Sequence, residues 1–175
     1  ALQHLGRIKE RPSDRLNRLG WKYLKFHPGR KILICPPSDK VMKFWNQPTP
    51  EEWTQNVIKE LKNYTDRPVE IRLKPKRNER IADGNIIHAL QNDVHCVVTY
   101  NSIAATEALL NGKPAIALGP NAATVLCNTS LSQVENPTTF DKLTMEAYAA
   151  HLTYCQFTKQ EMQDGTAWRI LNESS

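Results

Sequence analysis

No apolar run in this 175-residue chain approaches the roughly 18 to 20 residues that a membrane span needs. Its basic N-terminus lacks the uninterrupted apolar core of a secretory signal, so a cytoplasmic setting is expected. The four cysteines, Cys35, Cys96, Cys127 and Cys155, include no Cys-x-x-Cys pair, and no histidines stand at zinc-finger spacing. They read as reduced core thiols, and no metal or other cofactor is expected. Also missing are a Gly-x-Gly-x-x-Gly fingerprint, a Walker sequence, a Ser-His-Asp order and paired-carboxylate spacing, so no catalytic residue is assigned. His88 and His95 stand singly on apolar segments and read as structural.

The chain does hold enough for a core. With 40% hydrophobic and 23% charged residues it is one domain by length, and its composition argues against general disorder. The net charge of +5 is unevenly spread. Residues 1–30 carry Arg7, Lys9, Arg11, Arg15, Arg18, Lys22, Lys25 and Arg30 against Glu10 and Asp14, a net of +6, which leaves −1 for the remainder. Such an arm suits weak contact with nucleic acid through counterion release. The alternative is a solvated connecting segment whose Leu16, Leu19, Trp21 and Leu24 pack on the domain. Gly20-Trp21 and His27-Pro28-Gly29 divide it into pieces too short for a core of their own. Residues 1–30 are therefore expected to be a basic N-terminal segment or linker, and 31–175 the domain proper. A start at alanine fits a fragment or a processed form.

From residue 31 strand and helix signals alternate. Residues 31–35, Lys-Ile-Leu-Ile-Cys, form a continuous apolar run and so a central buried strand, with Pro36-Pro37-Ser38-Asp39-Lys40 as its loop. Residues 49–64 read as a helix: Thr49 can cap it, Pro50 suits the first turn, Glu51 and Glu52 favour its positive end, and Trp53, Val57, Ile58 and Leu61 face inward. Residues 69–73 alternate, as an exposed strand does. Further helices are expected over 81–91, 102–111, 141–153 and 159–171, and strands over 95–100 and 115–118. Thr158 and Glu161 match a capping box. Strands separated by helices at these lengths imply right-handed crossovers. The expected fold is α/β, a three-layer Rossmann-like parallel sheet with helices on both faces and C-terminal helices packing across.

One stretch carries most of the chemistry. Val97-Val98-Thr99-Tyr100-Asn101-Ser102-Ile103-Ala104-Ala105-Thr106-Glu107-Ala108-Leu109-Leu110-Asn111-Gly112-Lys113-Pro114-Ala115-Ile116 reads as buried strand, polar turn, glycine-stopped helix and buried strand. Ser102 then opens a helix at the carboxyl end of a parallel strand, where unpaired N–H groups and the helix dipole favour an anion. Glu107 is four residues after Ile103 and three before Leu110, on the face those apolar residues turn inward. A carboxylate placed there must be paired or hold hydroxyls. Asn121 can cap a short helix over 122–126, a second helix start beside the first.

The segment Tyr100 to Ile116 resembles the nucleotide-binding segment in the C-terminal half of GT-B-type glycosyltransferases, particularly bacterial capsule and surface-polysaccharide transferases, and also the related sugar-nucleotide 2-epimerases. The resemblance implies that 31–175 is a nucleotide-sugar-binding domain, with Ser102 near the diphosphate and Glu107 near the ribose. Asn101, Ile103 and Asn121 belong to the same turn system. Where many such proteins place a histidine-proline pair, this chain has Lys74-Pro75. Residues 1–30 are too few to build the acceptor-binding domain of a GT-B enzyme, so the expected role is donor binding for transfer to a hydroxyl acceptor, with this chain as the donor-binding half.

A second constellation supports the same pocket. Arg72, Lys74 and Lys76 run from a strand into its loop, toward the sheet edge where ligands of open α/β folds collect. Arginine grips phosphate bidentately and lysine adds a point charge, so no metal is needed to neutralise a diphosphate. Ser38 and Lys40, after the first strand, are candidates for the same pocket. The competing functions are a non-catalytic module that binds nucleotide or nucleic acid, and an epimerase-like enzyme. Self-association into a homo-oligomer is compatible with all three.

Overall fold

The computed structural model describes residues 6–74 and 86–172. Its centre is a four-stranded, all-parallel sheet of β1 (Lys31–Cys35), β2 (Val69–Ile71), β3 (Val94–Thr99) and β4 (Ala115–Ala117), in the order β2-β1-β3-β4. Burial follows the sequence pattern. Ile32, Leu33 and Ile34 of β1 and all of β3 and β4 are buried, whereas β2 lies at the edge with Val69 and Ile71 exposed. The register of β1 on β3 shifts between Lys31↔Val94 and Ile32↔Cys96, which makes His95 the extra residue of a bulge.

Helices cover both faces. On one face α2 (Asp39–Phe44) and α3 (Pro50–Leu61) bring Met42, Trp53, Val57 and Leu61 onto Ile32, Ile34, Cys96 and Val98. On the other, α4 (Ile86–Gln91), α5 (Ala104–Leu110) and α6 (Lys142–Thr153) pack Leu90, Ala105, Ala108 and Tyr148 with Leu33, Cys35 and Val97. Thr49 starts α3 with a full capping box: its hydroxyl accepts from the Glu52 N–H at 3.2 Å and the Glu52 carboxylate accepts from the Thr49 N–H at 2.9 Å. Gly112, at φ +68°, stops α5, and a side chain there would strike the Leu24 carbonyl.

Several expectations needed correction. Residues 36–40 are not all loop, because α2 begins at Asp39, favoured by the acidic first turn. Residues 159–171 form two short helices, α7 (Lys159–Gln163) and α8 (Thr166–Asn172), separated where Gly165 takes φ +81°. The buried residues of α5 are Ala104, Ala105, Thr106, Ala108 and Leu109. Ile103 is exposed, and Glu107 sits at the border of the buried face. Cys155 and His88 are exposed, unlike the buried Cys35, Cys96, Cys127 and His95. The helical expectation over 81–91 is met from Ile86 onward, and 81–85 lie outside the described residues.

The basic N-terminal residues pack against the C-terminal helices. In α1 (Asp14–Leu19) Leu16 is buried against Ala149 and Ala150, while Leu19 is exposed. Trp21 donates from Nε1 to the Leu110 carbonyl at 2.9 Å, and Tyr23 from its hydroxyl to the Phe140 carbonyl at 3.2 Å. Arg15 is the strongest tie. Its guanidinium donates to both carboxylate oxygens of Glu161, at 2.5 and 3.1 Å, and to the Thr153 and Gln156 carbonyls. Among the described residues no helix is long and apolar enough to cross a membrane.

Candidate functional site

The strand order places one topological switch in the sheet. The connection leaving β1 runs through α2 and α3 on one face, and the connection leaving β3 runs through α5 on the other. The loops therefore part between the carboxyl ends of β1 and β3, the position at which open α/β sheets bind their ligands. Thr99 donates from Oγ1 to the Cys35 carbonyl at 2.8 Å across the two strand ends.

The turn after β3 lies on one side. Ser102 accepts on Oγ from the Ala104 N–H at 3.2 Å, and its carbonyl accepts from the Ala105 N–H at 3.2 Å. The Ser102 N–H is directed to Thr99 Oγ1 at 3.4 Å. These bonds hold the turn rigidly, but they also occupy most of the N–H groups that the sequence suggested for an anion. Ser102 keeps a hydroxyl proton to donate. Asn121 braces the turn from the next loop, donating from Nδ2 to the Ser102 carbonyl at 2.8 Å and accepting on Oδ1 from the Ala123 N–H at 2.9 Å. The second helix start is thus present as a short 3₁₀ turn, Ala122–Val125, tied to the first.

Charge comes from the strand edge and from α5. The Glu107 carboxyl is half-buried and held above its ordinary range, because loss of water outweighs the opposing pull of Arg72 and Lys74. Both cations act on the carboxylate through space. Arg72 leaves β2 with its N–H on the Ile34 carbonyl at 2.9 Å, which fixes where its side chain starts. Lys76 lies outside the described residues. Cys35 is the residue that sequence reasoning did not place here. Its thiol is buried at the end of β1, pushed up to about 11 mainly by burial, with Arg72 pulling it down and Glu107 pushing it up. An apolar strand run ending in cysteine gave no signal beyond a core thiol.

The loop after β1 lies on the other side. Ser38 is exposed at the start of α2, and its side chain makes no capping bond among the described residues. Its carbonyl accepts from Val41 and Met42 at 3.0 and 3.1 Å. Lys40 is exposed in the first turn of α2, and Asn101 and Ile103 flank Ser102 on the solvent side. Of the expected site residues, Asn121 is bonded to the Ser102 turn, Arg72 and Lys74 act electrostatically on Glu107, and Ser38 and Lys40 are exposed at the start of α2.

Other features lie elsewhere. His95 is buried at the amino-terminal end of the sheet, with Nε2 on the Val134 carbonyl at 3.0 Å, and its burial holds the imidazole below its ordinary pKa. A cavity of about 350 Å³ between α1 and the C-terminal helices is walled by the Arg15–Glu161 pair, Leu19, Thr153 and Phe157, none of them a predicted site residue. Among the described residues no group of three or more His, Cys, Asp or Glu is placed to hold a metal ion. No family model, curated protein or solved structure matches this chain.

Proposed function

We propose that the edge between the carboxyl ends of β1 and β3 binds a nucleotide-sugar through its diphosphate, and that the chain is the donor-binding part of a glycosyltransferase-like protein. The observation that carries this reading is a half-buried carboxylate, Glu107, on the helix that follows the Ser102 turn, under the electrostatic pull of Arg72 and Lys74. A carboxylate so placed suits a ligand with both hydroxyls and phosphates. Glu107 would accept from ribose hydroxyls, Ser102 would donate to a phosphate oxygen, and Arg72 and Lys74 would supply most of the neutralising charge.

In the transfer step the bond from the sugar's anomeric carbon to the diphosphate oxygen breaks, and its electron pair leaves with the diphosphate. The acceptor hydroxyl oxygen bonds to that carbon and loses its proton. The cations would stabilise the charge growing on the leaving group, the term that preorganised sites supply best. Glu107 is committed to the donor in this account, so it is not the base that takes the acceptor proton.

Co-crystallising the chain with a panel of nucleoside diphosphates tests the reading. The expected result is phosphate density between Ser102 and Arg72 with ribose at Glu107. Density confined to another surface would contradict it, and oligonucleotide binding without nucleotide binding would favour a nucleic-acid module instead.

A further inference from the structure

β2 bonds to β1 through alternate residues only. The Pro68 carbonyl accepts from the Ile32 N–H at 2.9 Å, and the Arg72 N–H donates to the Ile34 carbonyl at 2.9 Å. The backbone groups of Val69, Ile71 and Leu73 therefore point away from β1, and among the described residues no strand takes them up. The side chains of these three residues also share one face. Val69 and Ile71 stand opposite Ile32 and Ile34 in the register, on the face where α3 covers β1, yet they are 36% and 44% exposed, and Leu73 is 72% exposed. Glu70 and Arg72 alternate with them on the other face. Proteins blunt such edges with lysine, proline or a bulge. Residues 69–73 contain neither lysine nor proline, and their register on β1 is regular.

Charge selects the occupant of this edge. Antiparallel pairing with a second copy, about a twofold axis through Ile71, sets Ile71 opposite itself and Val69 opposite Leu73 of the second copy, so the outward N–H and C=O groups of all three exchange bonds. The same register sets Glu70 opposite Arg72 of the second copy, and Arg72 opposite its Glu70. An axis through Glu70 or through Arg72 would set that charge against its own copy, and a shift by one residue between the strands would put the charged face of one beside the apolar face of the other. The strand is thus complementary to itself in a single register. Glu70 has room for the second cation: its carboxylate holds Lys31 at 2.5 Å and remains 44% exposed. We infer that two copies of this chain associate through β2, joining their sheets into one with the order β4-β3-β1-β2-β2-β1-β3-β4. A foreign strand would meet the same backbone groups without the reciprocal charges. The inference does not depend on what the carboxyl edge of the sheet binds.

Sedimentation equilibrium compares the wild-type chain with Ile71→Lys, which sets two like charges face to face at the axis. Ile71 is exposed and its N–H faces outward, so the variant should fold, and circular dichroism checks that. The expected result is a wild-type dimer whose dissociation constant rises at least about tenfold in Ile71→Lys. Cysteine variants read the register separately, in a Cys155→Ser background that removes the exposed natural thiol. Ile71→Cys sets two cysteines across the axis with Cα atoms about 5.5 Å apart, within disulfide reach. Val69→Cys leaves its two copies about 14 Å apart along the strands. Oxidised glutathione should therefore cross-link Ile71→Cys and leave Val69→Cys monomeric under denaturing conditions. A wild-type chain that is monomeric at every concentration overturns the proposal, and so does an Ile71→Lys variant that dimerises as tightly as wild type. Equal cross-linking at positions 69 and 71 overturns it as well, since the pairing would then lack the register through Ile71.

Discussion

Asn121 bridges two turns at the ligand edge of the sheet, donating to the Ser102 carbonyl at 2.8 Å while its own side-chain oxygen accepts from the Ala123 N–H at 2.9 Å. The turn after β3 and the turn after β4 are thereby held as one rigid unit. Replacing Asn121 with alanine removes both bonds and should cost about 1 to 2 kcal/mol, the usual loss for a cap. Urea denaturation checks the number. A variant as stable as the wild type would show that the bridge contributes nothing.

Glu107→Gln separates binding from stability. The folded-state pKa of Glu107 is raised by burial, so the folded protein holds this proton more tightly than the unfolded chain and gains stability as pH falls through the folded value. At neutral pH the buried charge is a cost, only partly offset by Arg72 and Lys74. The glutamine variant should therefore melt at the wild-type temperature or slightly above it, while nucleotide affinity falls. Loss of several degrees with normal binding, by calorimetry and thermal melts together, would make the carboxylate structural.

Arg15 and Glu161 give a pH signature in acid. The Arg15 guanidinium and the Thr158 N–H hold the Glu161 carboxyl down at about 2, so this pair stabilises the fold above the ordinary carboxylate pKa and loses its effect as pH falls toward 2. Glu161→Gln should lower the melting temperature at pH 7, and the gap to wild type should close between about pH 4.5 and pH 2. A gap that persists unchanged at the lowest pH would assign the loss to the capping box alone.

The layered sheet was legible in the chain because its signals are local. Lys31 to Cys35 reads as a central strand from an uninterrupted apolar run, and Thr49-Pro50-Glu51-Glu52 spells a helix start, both seen as expected. The cap at Asn121 was legible from residue type and position, whereas Ser102, expected to open α5, stands before Ile103, the N-cap of a helix that begins at Ala104. The rest was obscured where packing decides. Four small or apolar residues, Ala104, Ala105, Ala108 and Leu109, turn α5 so that Ile103 faces solvent, and nothing in the spacing distinguishes that from an inward Ile103. Arg15 sits in a basic run that looks solvated, yet its partners are more than 130 residues away in sequence. Phe44 and Trp45 follow a proline-rich stretch that reads as loop, which hid α2.

A further prediction concerns turnover. With Glu107 committed to the donor and no positioned base, the chain should bind nucleotide-sugar but transfer slowly at best. Holding both reactants in line contributes up to about 7 to 11 kcal/mol. Incubation with labelled nucleotide-sugars and candidate glycans should show binding and at most slow donor hydrolysis. Multiple-turnover transfer by the 175-residue chain would require a base among its own residues.

Calorimetric titration of nucleoside diphosphates into the wild-type chain and Ser102→Asp tests the central claim most directly. Aspartate can keep the turn capped, so the fold should survive, but its charge opposes a phosphate at the position where the serine hydroxyl would donate. Removing a charged hydrogen bond costs roughly 1.5 to 3 kcal/mol, so affinity should fall by about tenfold or more in the variant. Equal affinity in the two proteins, or none in the wild type, would contradict a diphosphate site at Ser102.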